Sequence, residues 1–259
     1  MNNRVISRIL SIIVLSIALA GCATTYNPAT GKKEMLLVST SQEQAMGQDI
    51  HNNILKQYKS SGNYLYQKRI KDVGVRVAAK SDRQDISYRF EALESKDLNA
   101  FTIPGGYVYA TTTLMENATN DDELAAVLAH EIGHTAAKHA AKKIQAAMGY
   151  NLLLNAVYAL EGDKLKKYWQ DIATATNISF QLASLGYSRK DEIEADLLGV
   201  RYMSRAGYDP NSMIAFLEKL KNKEGEEKSD WLVFLRSHPY IDDRIKAIRQ
   251  ELDDQKKTY

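Results

Sequence analysis

Hydrophobic positions in this chain recur mostly at helical spacing. Ala45, Met46, Ile50, Ile54 and Leu55 lie close to one face of a helix over residues 42–59. Leu65, Ile70, Val73 and Val77 repeat at three- and four-residue intervals and predict a second helix over 64–80. The period then changes. Ile86, Tyr88, Phe90 and Ala92 alternate with polar neighbours, which predicts a half-buried strand over 86–93. Pro104-Gly105-Gly106 predicts a turn, and the β-branched and aromatic residues 107–111 a second strand. Asn120 followed by Glu123 fits a capping box that opens a helix from Asp121 to about Met148. Residues 163–185 and 189–205 read as two long helices divided near Gly186. A turn at Gly207-Tyr208-Asp209-Pro210, a helix over 211–221, a charged loop over 222–229 and an amphipathic helix over 240–252 complete the chain. The apolar run 151–160 is too short to span a bilayer and predicts burial or an interface. The fold class expected is α+β, mainly helical, with a small sheet just ahead of the Asp121 helix.

The start of the chain has a different logic. Arg4 and Arg8 precede or open an apolar run from Ile9 to Ala20, broken only by Ser11 and Ser16. Twelve helical residues span about 18 Å, short of a bilayer core of about 30 Å. A basic start, a short apolar core and small residues after it describe a secretory signal peptide. The run ends Leu19-Ala20-Gly21-Cys22, which resembles the lipobox of bacterial lipoproteins, and Cys22 is the chain's one cysteine. The expected organisation is a signal peptide over 1–21, a polar, turn-rich tether over 22–41 and one domain over 42–259. By the same resemblance, lipidated Cys22 places the protein on a membrane, and Ala23 after it favours the periplasmic face of the bacterial outer membrane.

Composition sharpens these readings by exclusion. The 259 residues are 44% hydrophobic and 25% charged, the balance of a globular protein and not of a disordered one. One cysteine excludes an intramolecular disulfide framework and any cysteine-rich zinc ribbon. A formal charge of +2 excludes nucleic-acid binding driven by charge alone, and no nucleic-acid partner is expected. Both surplus positive charges are Arg4 and Arg8. Without the signal peptide, 32 basic residues face 32 acidic ones.

The sharpest chemical feature is His130-Glu131-Ile132-Gly133-His134. Residues four apart on a helix face the same way one turn apart, so His130 and His134 can hold one zinc ion. Glu131 projects from an adjoining direction, where it can reach a zinc-bound water. A catalytic zinc needs a third protein ligand and an open place for water. A metzincin would supply Gly at 137 and His at 140, but the chain has Ala137 and Ala140. On a continuous helix His139 is rotated away from the ligand face and reads as a packing or supporting histidine. The stretch Asp191-Glu192-Ile193-Glu194-Ala195-Asp196 offers a glutamate instead. Glu192 and Asp196 share a helix face, so the first can bind zinc while the second accepts a hydrogen bond from the distal nitrogen of a ligand histidine. Glu194 points off that face and reads as solvated or paired with a basic neighbour.

Several segments, in order along nearly all of the chain after Cys22, resemble the HtpX/BepA/LoiP-type family of gluzincin metallopeptidases. They are Asn27-Pro28-Ala29-Thr30-Gly31, Asn99-Ala100-Phe101 with Pro104-Gly105-Gly106, the His130–His134 motif, Ser188-Arg189 with Glu192 and Asp196, and Ser237-His238-Pro239 with Arg244-Ile245. The lipobox gives the chain the organisation of the LoiP-type lipoprotein peptidases. The resemblance implies a zincin-like core, one zinc per chain on His130, His134 and Glu192, Glu131 as general base, and Asp196 supporting a ligand histidine. It implies that the segment from Asn99 to Thr111, with Asn99, Ala100, Phe101, Gly105 and Gly106, is a strand edge that binds extended substrate. His238 is expected to stabilise the oxyanion or to cap the zinc as a fourth ligand in a latent state, against a purely structural histidine beside Pro239. The function implied is a membrane-anchored zinc endopeptidase that cleaves unfolded or misassembled envelope proteins and meets the envelope assembly machinery. The alternative is a lipoprotein chaperone or assembly factor with latent or minor proteolysis.

Overall fold

The computed structural model describes residues 24–146, 186–223 and 231–257. A hairpin of β1 (Thr24–Asn27) and β2 (Lys32–Met35) leads into helices α1 (Thr40–Gln57) and α2 (Tyr64–Ala78). Strands β3 (Arg89–Leu93), β4 (Ala100–Ile103) and β5 (Tyr107–Thr111) follow, then α3 (Thr112–Asn117) and the long α4 (Asp121–Ala136). Beyond residue 186 come α5 (Arg189–Arg205), α6 (Asn211–Lys221), α7 (Leu232–Ser237) and α8 (Ile241–Lys257).

The sheet has the order β3-β5-β4, with β5 parallel to β3 and antiparallel to β4. Both of its faces are covered, which is why β5 is buried along its whole length. Ala92, Ala100, Val108 and Ala110 join the main core with residues of α2 and α4. Leu93, Phe101, Ile103, Tyr107 and Tyr109 form a second core with Ile50 and Ile54 of α1. The turn from β4 to β5 lies against α1. Gly105 has φ of +82°, and a Cβ there would stand 3.1 Å from the Cα of Gln44.

Helix α4 is the axis of the fold, buried on every side from Glu123 to Ala136. Asn120 caps its start, accepting the Glu123 backbone N–H at 2.8 Å. Glu123 does not close the expected capping box onto Asn120. Its carboxylate accepts the Thr119 N–H at 2.9 Å and pairs with Lys219 of α6. At the other end side chains take two of the last carbonyls, of which Thr135 also accepts the Lys138 N–H at 3.1 Å. Arg83 donates to the Thr135 carbonyl at 2.8 Å, and Asn27 of the hairpin to the Ala136 carbonyl at 3.2 Å.

The structure departs from the sequence expectations at identifiable places. The helix opened at Asp121 does not run on to Met148. It stops at Ala136, Lys138 takes a left-handed φ of 58°, and a second helical stretch covers 139–146. The predicted strand over 86–93 begins at Arg89. The turn-rich segment read as a tether contains the β1–β2 hairpin, which is fastened to the body by Asn27 and by Lys142–Glu34 at 2.7 Å. Helices α3 and α7 have no counterpart in the sequence pattern, and the closing helix runs from Ile241 to Lys257. Cys22 and the signal segment, the apolar run 151–160, the helix expected over 163–185 and most of the loop over 222–229 lie outside the described residues. Among the described residues no helix is long and apolar enough to cross a membrane.

Candidate metal centre

The centre forms where α4 and α5 touch. Gly133 makes that contact possible: a Cβ there would stand only 2.4 Å from the Ala195 carbonyl oxygen. Ser188 and Asp191 close a capping box that fixes the start of α5. One turn into that helix, Glu192 and Asp196 share the face turned to α4, and both are fully buried. The loop between α7 and α8 adds His238, and α8 adds Arg244.

His130, His134, Glu192 and His238 converge, with donor atoms all within 4.8 Å of one another. His130 Nε2 is 3.0 Å from His134 Nε2 and 3.1 Å from His238 Nδ1. Glu192 Oε1 is 3.4 Å from both His134 Nε2 and His238 Nδ1. Glu131 sits beside the group, its Oε1 3.4 Å from His238 Nε2.

Each histidine of the α4 motif is oriented from behind. His130 Nδ1 faces Asp196 Oδ1 at 2.7 Å, which places the ring proton there and leaves the Nε2 lone pair facing the cluster. Arg244 holds Asp196 through Nε at 2.7 Å and Nη2 at 2.8 Å, and reaches Glu192 Oε2 at 3.1 Å. His134 Nδ1 faces His139 Nδ1 at 2.8 Å, and His139 Nε2 faces Glu194 Oε2 at 3.2 Å. Tyr187 stacks on the His134 ring at 4.0 Å between centroids.

Electrostatics divide these groups by role. Burial pushes the Glu131 carboxyl above the usual glutamate range, although His238 and His130 oppose it. Burial raises Glu192 too, but the charges of His238 and Arg244 outweigh it and hold that carboxyl well below the ordinary value. Asp196 is lowered in the same way, with Arg244 overcoming burial. Burial, reinforced by His130, drives His134 well below the ordinary histidine value, so its ring is neutral. Burial lowers His238, but Glu192 and Glu131 reverse this and raise it. The hydrogen bond from His139 brings Glu194 down to about 2.

The donor set fits a zinc ion. Two neutral imidazole nitrogens and a carboxylate oxygen are the ligand types zinc takes, and the spacing suits tetrahedral bonds of roughly 2 Å. Both Glu131 oxygens are buried without a hydrogen-bond partner, while Glu192 Oε2 has its ion pair with Arg244. Such groups are costly unless a charge or a donor meets them.

The fold thus gathers His130, Glu131, His134, Glu192, Asp196 and His238 at one place. Asn99, Ala100 and Phe101 lie elsewhere, at the start of β4, which is the sheet's edge among the described residues. Asn99 Oδ1 is buried without a partner. Gly105 and Gly106 sit in the turn packed against α1 and Ser87. His139 comes back against His134 because the helix breaks at Lys138, a contact that a continuous helix would not give. Glu194 pairs with a basic neighbour, Lys32 at 3.0 Å, as well as with His139. Arg244 is the residue of the centre to which the sequence pattern assigned no role. Its signal was available, an arginine among Ile241, Ile245, Ile248 and Leu252 on the apolar face of α8.

Comparison with known proteins supplies independent grounds. The profile described as peptidase family M48 matches residues 65–252. The mitochondrial metalloendopeptidase OMA1 of Schizosaccharomyces pombe is 29% identical over 235 residues, covering 88% of this chain and 66% of that protein. A beta-barrel assembly-enhancing protease of Yersinia pestis is 28% identical over 238 residues, covering 88% of this chain and 48% of that protein. OMA1 of Saccharomyces cerevisiae is 32% identical over 165 residues, covering 62% and 45%. Each alignment leaves a third or more of the relative's own length unmatched.

Proposed function

The chain belongs to peptidase family M48, a family of zinc metallopeptidases, and from that premise we propose that it is a zinc-dependent endopeptidase whose centre is built on His130, Glu131, His134 and Glu192. The observation that carries this is the buried convergence of His130, His134 and Glu192 beside Glu131, whose two oxygens have no hydrogen-bond partner. His130, His134 and Glu192 would hold the metal, with Asp196 and Arg244 fixing the His130 ring. When bound, zinc supplies Lewis acidity that lowers the pKa of water and polarises a peptide carbonyl. Glu131 accepts the attacking water's proton and passes it to the leaving amine. Burial raises its proton affinity toward the range a general base needs near neutral pH. Casein cleavage by the wild type, abolished by a chelator and absent in a folded Glu131→Gln variant, tests the reading. Cleavage by Glu131→Gln would overturn it.

His238 favours a second statement about the same centre. Its Nδ1 stands among the ligand atoms, 3.1 Å from His130 Nε2. A fourth protein donor there would take the place a substrate or water needs, which supports reading this arrangement as a latent form. His238→Ala should then raise casein cleavage at unchanged metal content. A fall in kcat with zinc retained would instead assign His238 to the oxyanion.

The substrate and setting rest on other observations. The segment with Asn99, Ala100 and Phe101 resembles a substrate-binding strand edge, which supports broad specificity for unfolded segments, but β4 is buried here, so a peptide would reach its backbone only once the residues covering it move aside. A strict single-residue preference in a peptide-library digest would contradict it. The Leu19–Cys22 lipobox supports lipid anchoring, with Ala23 favouring the outer membrane. Similarity to proteins named beta-barrel assembly-enhancing proteases supports envelope quality control next to the assembly machinery. Palmitate labelling of the wild type and not of Cys22→Ala tests the anchor.

A further inference from the structure

The N-terminal hairpin and His139 are not used by the chemistry above, yet they meet at the end of the helix that carries it. Asn27 binds three ways: its Oδ1 accepts the Ala29 N–H at 3.0 Å, and its Nδ2 donates to Glu34 at 3.1 Å and to the Ala136 carbonyl at 3.2 Å. Glu34 of β2 also receives Thr30 at 2.9 Å and Lys142 at 2.7 Å. The hairpin is thereby fixed to both sides of the break at Lys138. From that position Lys32 reaches Glu194 Oε1 at 3.0 Å, Glu194 Oε2 meets His139 Nε2 at 3.2 Å, and His139 Nδ1 meets His134 Nδ1 at 2.8 Å.

Proton counting gives this chain of contacts one direction. Glu194 only accepts, so the neutral form of His139 carries its proton on Nε2 and presents a bare Nδ1. A bare Nδ1 on His139 requires the proton of His134 on its own Nδ1, leaving the His134 Nε2 lone pair turned to His130, Glu192 and His238. The hydrogen bond on the far nitrogen decides which ring nitrogen can bind a metal.

We propose that Lys32, Glu194 and His139 form a positioning relay through which the N-terminal hairpin sets the tautomer and orientation of His134. Asp191 Oδ1, 3.6 Å from His139 Nε2, is a weaker second acceptor on the same side. Docking of the hairpin is then a condition for a well-formed centre. Displacing it, by a partner or by a pull on the chain ahead of Thr24, would loosen His134 without touching Glu131 or Glu192. This rests on the reading of His134 as a zinc ligand.

The test uses the full chain as wild type, Glu194→Gln and Lys32→Ala, with Lys68→Ala as a control for loss of an exposed lysine. Zinc affinity is measured by chelator competition, and the geometry of the centre by the visible absorption of the Co2+-loaded protein. Expected for Glu194→Gln is a loss of zinc affinity of about 10- to 100-fold with an altered cobalt spectrum. Lys32→Ala should move both readouts less, in the same direction, and Lys68→Ala neither. The Lys32 side chain is 57% exposed, so this variant keeps the test valid if Glu194→Gln misfolds. Wild-type zinc affinity and cobalt spectrum in both variants overturn the relay and leave the hairpin a mere staple. A wild type that takes up no zinc would overturn the underlying reading of the centre, and the relay with it.

Discussion

His130 and His134 sit one turn apart on the same helix, yet the protein holds them by different means. Behind His130 lie two charges in direct contact, Asp196 and Arg244, both fully buried. Behind His134 lies another ring, His139, and only then a glutamate and a half-exposed lysine. The His130 side joins α4, α5 and α8, elements that build the main core. The His134 side joins α4 and α5 to a two-stranded hairpin at the edge of the fold. The contrast teaches that one histidine is tied to the elements of the main core, and the other to a two-stranded hairpin at the edge. Damage on the first side should unfold the protein. Damage on the second should weaken the site and spare the fold.

Arg244→Ala should have the largest effect. It leaves Asp196 and Glu192 buried without their counter-ion, and breaking such a pair costs about 3–5 kcal/mol. Chemical denaturation of the metal-free protein measures it directly. A variant within about 1 kcal/mol of the wild type would break the comparison, because Arg244 would then serve the site alone. Gly133→Ala comes next. Its Cβ would drive α5 away from α4, and overpacking of this kind costs about 1–3 kcal/mol. Since Gly133 lies between the two histidines, zinc affinity should fall with both sides disturbed. A stable Gly133→Ala protein that binds zinc normally would show that helix spacing does not set the ligand geometry.

The sequence exposed these two sides unequally. Two histidines at a four-residue spacing are legible because helix geometry alone puts them on one face. Glu192 and Asp196 are legible for the same reason. Helices α5 and α6 match the expected spans, since each turns a continuous face inward, apolar in α6 and in α5 carrying Glu192 and Asp196 beside its apolar residues. Helix α4 keeps its predicted start but not its end, because no glycine or proline marks the stop at Ala136. Lys138 adopts a left-handed φ, and no local propensity announces that. A continuous-helix argument therefore puts His139 on the wrong face. The hairpin is hidden because its strands are only four residues long and polar, with Tyr26, Met35 and Leu37 exposed. Arg244 could have been found, since a charge inside an apolar helix face demands a buried partner.

Asn27→Ala sharpens the comparison at lower cost. It removes the donor to the Ala136 carbonyl and one donor to Glu34, a loss of about 1–3 kcal/mol where an acceptor is left buried. The loss should be confined to the hairpin. Hydrogen exchange should speed up over residues 24–35 and at the 137–139 break, with α5 and α8 protected as before. Exchange that accelerates equally in α8 would mean that the two sides are one cooperative unit.

The smallest effect expected is one of pH, carried by Glu34. Burial alone would raise this carboxyl, but hydrogen bonds from Lys142, Asn27 and Thr30 more than offset it and bring it below its ordinary 4.5. A depressed folded-state value means that the unfolded chain takes up the proton first as pH falls. The contribution of Glu34 is therefore complete above the ordinary value and is lost as pH drops through the lower, folded one. Acidification from neutrality to below the ordinary value should loosen the hairpin, after correction for intrinsic exchange. Asp196 is depressed as well, with Arg244 overcoming burial, so acid weakens both sides. The His130 side also carries the packing of α5 and α8, so it opens only with the domain. In a Glu34→Gln variant, hairpin exchange should already be fast at neutral pH and lose this acid step. If hairpin protection in the wild type is flat across that window, Glu34 does not hold the hairpin, and the fastening must be sought at Asn27 and Lys32 instead.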